Sequence, residues 1–192
     1  MWNAIRIQFV FKGSKRMITE IRGRKLKPLF SSDEILKRVA ELGAQITEDY
    51  TGKNPVLIGV LKGAFIFLAD LVRSIDFHVE LDFIRISSYK NGMEPGDIEL
   101  IMDTSIPLRD RHVILFEDIL DTGVTLKFIK DKILSREPAS FKICVLIDKK
   151  ERRQFHINAD YVGFEINEGF IVGYGIDWGE QGRNIPGIYV VE

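Results

Sequence analysis

Val113-Ile114-Leu115-Phe116-Glu117-Asp118-Ile119-Leu120-Asp121-Thr122-Gly123-Val124-Thr125-Leu126 is the stretch that decides the fold. Its four leading apolar residues fit a strand buried on both faces, and Leu126, Ile129 and Ile133 then recur at helical spacing. Between strand and helix lies an acidic, hydroxyl-rich bend. Gly123 permits tight backbone geometry there, and the Thr122 and Thr125 hydroxyls add to the free amides of a helix N-terminus, where an anion is favoured. Glu117 and Asp118 suit a different ligand group: they accept hydrogen bonds from vicinal sugar hydroxyls or hold Mg²⁺ directly or through water. Asp121 stands one turn further on. The bend reads as a cradle for a phosphorylated sugar.

Working outward, the same strand-helix alternation recurs. Ser31 and Glu34 offer a capping box, and Ile35, Val39, Leu42 and Ile46 continue at helical spacing, which predicts an amphipathic helix over 32–50. Residues 51–55, rich in turn formers, end it. A buried strand is predicted over 56–61, a turn at Lys62-Gly63, a helix over 64–75, and an alternating strand over 78–86 with Val79, Leu81, Phe83 and Arg85 on one face. A strand over 113–116, a helix over 126–134 and a strand over 142–147 complete a further crossover. The expected fold is α/β, with a mostly parallel twisted sheet flanked by helices. Residues 87–97, with Gly92, Pro95 and Gly96, read as a mobile loop able to close over a ligand. From Tyr161 onward, short strands and frequent glycines predict a small β-rich hood in place of another strand-helix repeat.

Size and charge narrow the classes. A chain of 192 residues with 45% hydrophobic content fills one domain, and a net charge of −1 gives no overall field that attracts polyanions. One basic cluster stands out: Lys12, Lys15, Arg16, Arg22, Arg24, Lys25 and Lys27 face a single acid, Glu20. No aromatic residues interleave with these charges, so a solvated arm or subunit contact is the reading, and no nucleic-acid partner is expected. Cys144, the only cysteine, sits in an apolar run as a core filler, which agrees with a reducing cytoplasmic location. No apolar run reaches the roughly 20 residues that span a bilayer. The alternation of Ile5, Ile7 and Phe9 reads as a strand and not as a signal peptide.

Two apolar-flanked acids followed by Asp-Thr-Gly-x-Thr resemble the phosphoribosyl-pyrophosphate signature of type I phosphoribosyltransferases. No Gly-x-x-x-x-Gly-Lys-Ser/Thr loop is present, and Gly173-Tyr174-Gly175 lacks the third glycine of a dinucleotide fingerprint. From about Leu26 to Val191 the similarity narrows to the hypoxanthine-guanine branch of that family. The resemblance implies that residues Glu117, Asp118 and Asp121 to Thr125, Val124 included, bind the phosphoribosyl group, with Asp121 catalytic. Leu61, Lys62 and Gly63 resemble the pyrophosphate loop, which implies a cis Leu61–Lys62 peptide, and Arg183 is implied in pyrophosphate binding. Ser88 and Tyr89 occupy the place of the family's lid pair.

Taken alone, Asp148-Lys149-Lys150-Glu151-Arg152-Arg153 reads as a solvated charge cluster after a strand. By resemblance it is the purine-reading segment, with Lys149 donating to the exocyclic oxygen of hypoxanthine or guanine; an ammonium cannot accept from the amino group of adenine. The resemblance further implies that Phe170 stacks on the base, that the Ile171 backbone meets its edge, and that Asp177 joins Glu117 and Asp118 in holding Mg²⁺. It also implies 6-oxopurine and phosphoribosyl pyrophosphate as substrates and a homodimer or homotetramer, and leaves the choice among hypoxanthine, guanine and xanthine open. A ligand sensor of this fold that binds RNA or DNA is the alternative; its mark, an altered catalytic or base-reading segment, is absent. Lys150 stands where many bacterial relatives carry proline, and Trp178 replaces a more usual tyrosine or phenylalanine. Residues 1–25 have no family counterpart and form an N-terminal extension of unassigned role; residues 26–192 are expected to be one domain.

Overall fold

The computed structural model describes residues 18–88 and 98–192. Strand β1 (Glu20–Ile21) and strand β2 (Arg24–Phe30) form a hairpin, followed by helix α1 (Ser32–Tyr50). The Ser31 hydroxyl accepts from the Glu34 amide while the Glu34 carboxylate accepts from the Ser31 amide, so two orphan donors are satisfied at the helix start. Then come β3 (Val56–Leu61), α2 (Phe65–Val72), β4 (Glu80–Ser88), β5 (Ile98–Met102), β6 (His112–Leu120), α3 (Val124–Leu134), β7 (Ser140–Lys149), β8 (Tyr161–Ile166), β9 (Ile171–Val172) and β10 (Ile188–Val191).

Six strands make the central sheet in the order β5-β4-β3-β6-β7-β8, all parallel except β5. Its middle strands are apolar runs because both faces are covered. Alternation divides each run between two layers. Leu57, Ile114, Phe116 and Leu146 pack with Ile35, Leu42, Phe67 and Leu71 of α1 and α2; Ile58, Val113, Leu115 and Val145 pack with Leu126, Ile129 and Ile133 of α3.

The structure corrects three local expectations. Strand β8 lies parallel to β7 in the central sheet, so the segment after Tyr161 extends that sheet before the hood begins. Gly163 permits this, since a Cβ there would lie 2.4 Å from the Leu146 carbonyl oxygen. In β4, Ile84 is the buried residue while Leu81 and Arg85 are exposed, because this strand lies next to the sheet edge. Strand β6 runs four residues past the predicted end at Phe116 and takes both acids, Glu117 and Asp118, into the sheet.

The hood is a second sheet, β1-β2-β10-β9, with its own apolar cluster of Ile21, Leu26, Val172 and Ile185. The hairpin thus joins residues on both sides of the boundary expected between 25 and 26. Ser87 and Ser88 end β4, whereas Tyr89 and the rest of the expected loop lie outside the described residues, as do Lys12, Lys15, Arg16 and the 5–9 alternation. Among the described residues no helix is long and apolar enough to cross a membrane.

Candidate functional site

The carboxyl ends of β3, β6 and β7 open into one cleft of about 470 Å³ beneath the hood, within the size range of small-molecule sites. Its floor is Glu117 and Asp118, only 6% and 8% exposed. Loss of water pushes the Glu117 carboxyl well above its ordinary range, and the adjacent Asp118 charge adds to this. Burial raises Asp118 as well, against hydrogen bonds and the Arg183 charge, which act to lower it. Two buried acids side by side form a donor set for a divalent cation. Among the described residues no three His, Cys, Asp or Glu side chains cluster as ligands. Cations such as Mg²⁺ take one or two carboxylates and draw their remaining ligands from water and phosphate oxygens, a donor chemistry that Glu117 and Asp118 could supply.

The β3–α2 turn fits closely against these acids. The Leu61–Lys62 peptide is cis, as the resemblance implies. Gly63 is required by contact, because a Cβ there would sit 1.9 Å from Asp118 Oδ2. On its other side the hood closes in: a Cβ on Gly175 would lie 2.2 Å from the Gly63 carbonyl oxygen. Leu61 and Gly63 line the cleft. The Lys62 ammonium instead pairs with Glu180 at 2.9 Å, leaving this turn's backbone to face a ligand.

After β6 the bend forms as the motif requires. Gly123 caps α3 with φ +83°, a left-handed conformation that suits glycine, and the Val124 amide donates to Thr122 Oγ1 at 3.4 Å. Asp121, Thr122, Gly123 and Thr125 line the cleft; Val124 does not. Among the described residues, the buried side-chain polar atoms without a hydrogen-bond partner are Asp121 Oδ1 and Arg183 Nε, and both residues belong to the cleft wall. Buried polar groups normally find partners, so these two atoms stand out along the cleft wall.

Lys149 ends β7 and is 5% exposed, with its ammonium 3.1 Å from the Glu151 carboxylate. Composition alone misreads this residue: Lys150 and Arg152 are at the surface, but Lys149 points inward. Phe170, Ile171 and Asp177 complete the wall on the hood side. Asp177 forms an ion pair with Arg183 at 2.6 Å and accepts from the Glu180 amide, so it is held by the hood. The expected site residues therefore converge on one cleft, apart from Lys62, Val124, Ser88, whose side chain is not described, and Tyr89.

Sequence reading misses Arg153. Its guanidinium donates to the carbonyls of Asp121 (2.9 Å), Leu120 (3.2 Å), Lys149 (3.1 Å) and Ile157 (2.9 Å) and to the Asp148 carboxylate. One side chain thereby ties the bend after β6 to the strand end that carries Lys149. The Gln154 and Phe155 amides add bonds to the Thr122 carbonyl. No local pattern signals this seam, because it joins the ends of β6 and β7 to the loop that follows β7.

Comparison with known proteins follows the same lines. A family model described as phosphoribosyl transferase domain matches residues 27–178. The chain is 50% identical over 175 residues to the hypoxanthine-guanine phosphoribosyltransferase of Aquifex aeolicus (strain VF5), spanning 90% of this chain and 98% of that protein. A crystal structure of a hypoxanthine-guanine phosphoribosyltransferase from Bacillus anthracis, with a HEPES molecule in its active site, superposes with a TM-score of 0.82 at 45% identity, covering 86% of this chain and 98% of that one. A hypoxanthine phosphoribosyltransferase from Staphylococcus aureus gives 0.83 at 42% identity, covering 86% and 91%.

Proposed function

The chain belongs to the phosphoribosyl transferase family, and from that premise we propose that it moves a phosphoribosyl group from phosphoribosyl pyrophosphate to N9 of hypoxanthine or guanine, releasing pyrophosphate and forming IMP or GMP. The observation that carries this reading is the meeting of the Asp121 to Thr125 bend and the buried Lys149 in one cleft. The bend suits a 5′-phosphate, and an inward ammonium suits an exocyclic oxygen.

In this reading Glu117 and Asp118 orient the ribose hydroxyls while Thr122, Gly123 and Thr125 hold the 5′-phosphate. Phe170 stacks on the purine, and the Ile171 backbone meets its edge. The anomeric carbon–oxygen bond breaks with its electron pair leaving on pyrophosphate, and the N9 lone pair forms the new bond as oxocarbenium character develops on the ribose. Asp121, whose Oδ1 has no protein partner, takes the purine N7 proton. Arg183 and the backbone of the Leu61 to Gly63 turn stabilise the charge growing on the leaving group. Glu117 and Asp118, together with Asp177, would hold Mg²⁺, which would supply charge neutralisation on the pyrophosphate. Ser88 and Tyr89 are assigned to a lid that excludes water. The resemblance extends the proposal to a cytoplasmic homodimer or homotetramer.

Product analysis with hypoxanthine, guanine, xanthine and adenine, each with phosphoribosyl pyrophosphate, tests the reading. IMP and GMP are the expected products. Adenine as the preferred acceptor removes Lys149 from its role.

A further inference from the structure

We infer that Arg22 and Trp178 are positioning residues for the purine, through which the N-terminal hairpin sets the base-stacking wall; this rests on the reading of Phe170 given above. Phe170 lines the cleft yet is 46% exposed, and Gly169 before it has φ +105°, so local backbone alone holds the ring poorly. Its support is Trp178, whose ring meets Phe170 edge-on with centroids 5.5 Å apart and planes at 74°. Trp178 is fixed in turn. Its amide donates to the Gln181 carbonyl at 2.9 Å, its ring packs on the hood's apolar cluster, and the Arg22 guanidinium lies over the ring at 5.4 Å from the centroid.

Arg22 reaches this place because the hairpin is anchored. Ile21 beside it is 6% exposed within the hood cluster, the Glu192 amide donates to the Lys25 carbonyl at 3.0 Å, and Arg24 bonds the Glu192 carbonyl. The guanidinium is also held by a close fit, since a Cβ on Gly179 would lie 2.7 Å from it. A cation over an indole face is attracted by the ring's quadrupole, and an edge-on aromatic pair prefers this geometry. The row Arg22-Trp178-Phe170 thus runs from the hairpin of β1 and β2 to the face against which a flat base stacks. An aromatic wall held in advance loses less freedom on binding, so its benefit falls on purine affinity.

Steady-state kinetics separate this from a general stabilising role. Arg22→Ala raises KM for hypoxanthine and guanine about two- to five-fold, the size of an exposed cation–π contact, and leaves KM for phosphoribosyl pyrophosphate in place. Arg22→Lys recovers part of the loss, and Trp178→Leu exceeds it. A second readout needs no turnover. Trp2 and Trp178 are the only tryptophans, so in a Trp2→Phe background emission comes from Trp178. GMP is expected to change that emission, ribose 5-phosphate to leave it unchanged, and Arg22→Ala to shift it in the free protein. Equal changes in both KM values, or an emission insensitive to both GMP and Arg22→Ala, overturn the inference. Failure of the parent protein to form any nucleotide overturns the proposed reaction instead, while the emission shift on Arg22→Ala still reports whether the Arg22–Trp178 contact exists.

Discussion

The strand-end wall of the cleft and the hood wall above it hold their side chains in different ways. On the strand-end wall, Glu117 and Asp118 continue β6 past its last partner on β3 and alongside β7, where Glu117 is opposite Val145, and Asp118 is so tightly packed that Gly63 has no room for a methyl group. On the hood wall, Phe170 follows a left-handed glycine, is half exposed, and depends on other side chains for its orientation. The groups proposed for chemistry, and Lys149 at the end of β7, are thus carried by the rigid frame, and the proposed stacking face by an adjustable one. A fold divided in this way can retune its acceptor without disturbing bond breaking.

The largest expected effect breaks the strand-end wall alone. Asp121→Asn removes the proposed proton acceptor and keeps the shape of the bend, so kcat should fall roughly 10²- to 10⁴-fold with little change in KM for phosphoribosyl pyrophosphate. Pre-steady-state and steady-state rates with both substrates check this. A kcat within two-fold or so of the parent assigns the proton to another group.

The seam between the two halves comes next. Arg153→Ala strips four carbonyls and the Asp148 carboxylate of one shared donor, with both charged side chains largely buried at 17% and 12% exposed. Loss of one partner of such a pair costs about 3 kcal/mol, or roughly 6–12 °C in melting temperature for a chain of this size. Arg153→Lys should recover little, because an ammonium lacks the planar fork that reaches several acceptors at once. Both substrates' KM values should rise together, in contrast to the split expected for Arg22.

These two predictions also mark what the sequence makes legible. Strand, bend and helix over 113–134 could be read because the residues are consecutive: buried runs announce the strands, and the Asp-Thr-Gly-Val-Thr order announces the bend. The hood residues Phe170, Asp177 and Arg183 came into view only through resemblance, since each is unremarkable among its neighbours. Arg153 and Arg22 were silent. Their partners are brought to them by strand pairing and sheet packing, which no local periodicity encodes. Lys149 was hidden differently, as one inward residue in a run of surface charges, because burial depends on where β7 ends.

Lys149→Gln sharpens the boundary between the walls at smaller cost. The amide still donates but loses the charge, so purine affinity should fall by about 1–3 kcal/mol, roughly 5- to 150-fold. Discrimination against adenine should relax, since an amide oxygen accepts from an amino group where an ammonium cannot. Competition assays with the four bases read this directly. Retained rejection of adenine would move the discriminating group from the end of β7 to the hood wall.

The smallest effect tests the frame away from the cleft, where a carboxylate has the opposite electrostatic setting to Glu117. Burial works against ionisation of Asp82, yet the amides of Ile106, Phe83 and Ser105 and the Ser105 hydroxyl outweigh it and hold the carboxyl below its ordinary value. A depressed folded-state value means that the unfolded chain binds the proton more readily, so this contribution is present above the ordinary aspartate range and disappears as pH falls through the folded value. Asp82→Asn should therefore cost about 1 kcal/mol at neutral pH, since a partly exposed carboxylate is screened by water, and the gap between parent and variant should close in acid. Melting temperatures measured from neutral pH down to about pH 3 decide it: a gap that persists in acid would mean that Asp82 holds the 103–106 segment by shape and not by charge.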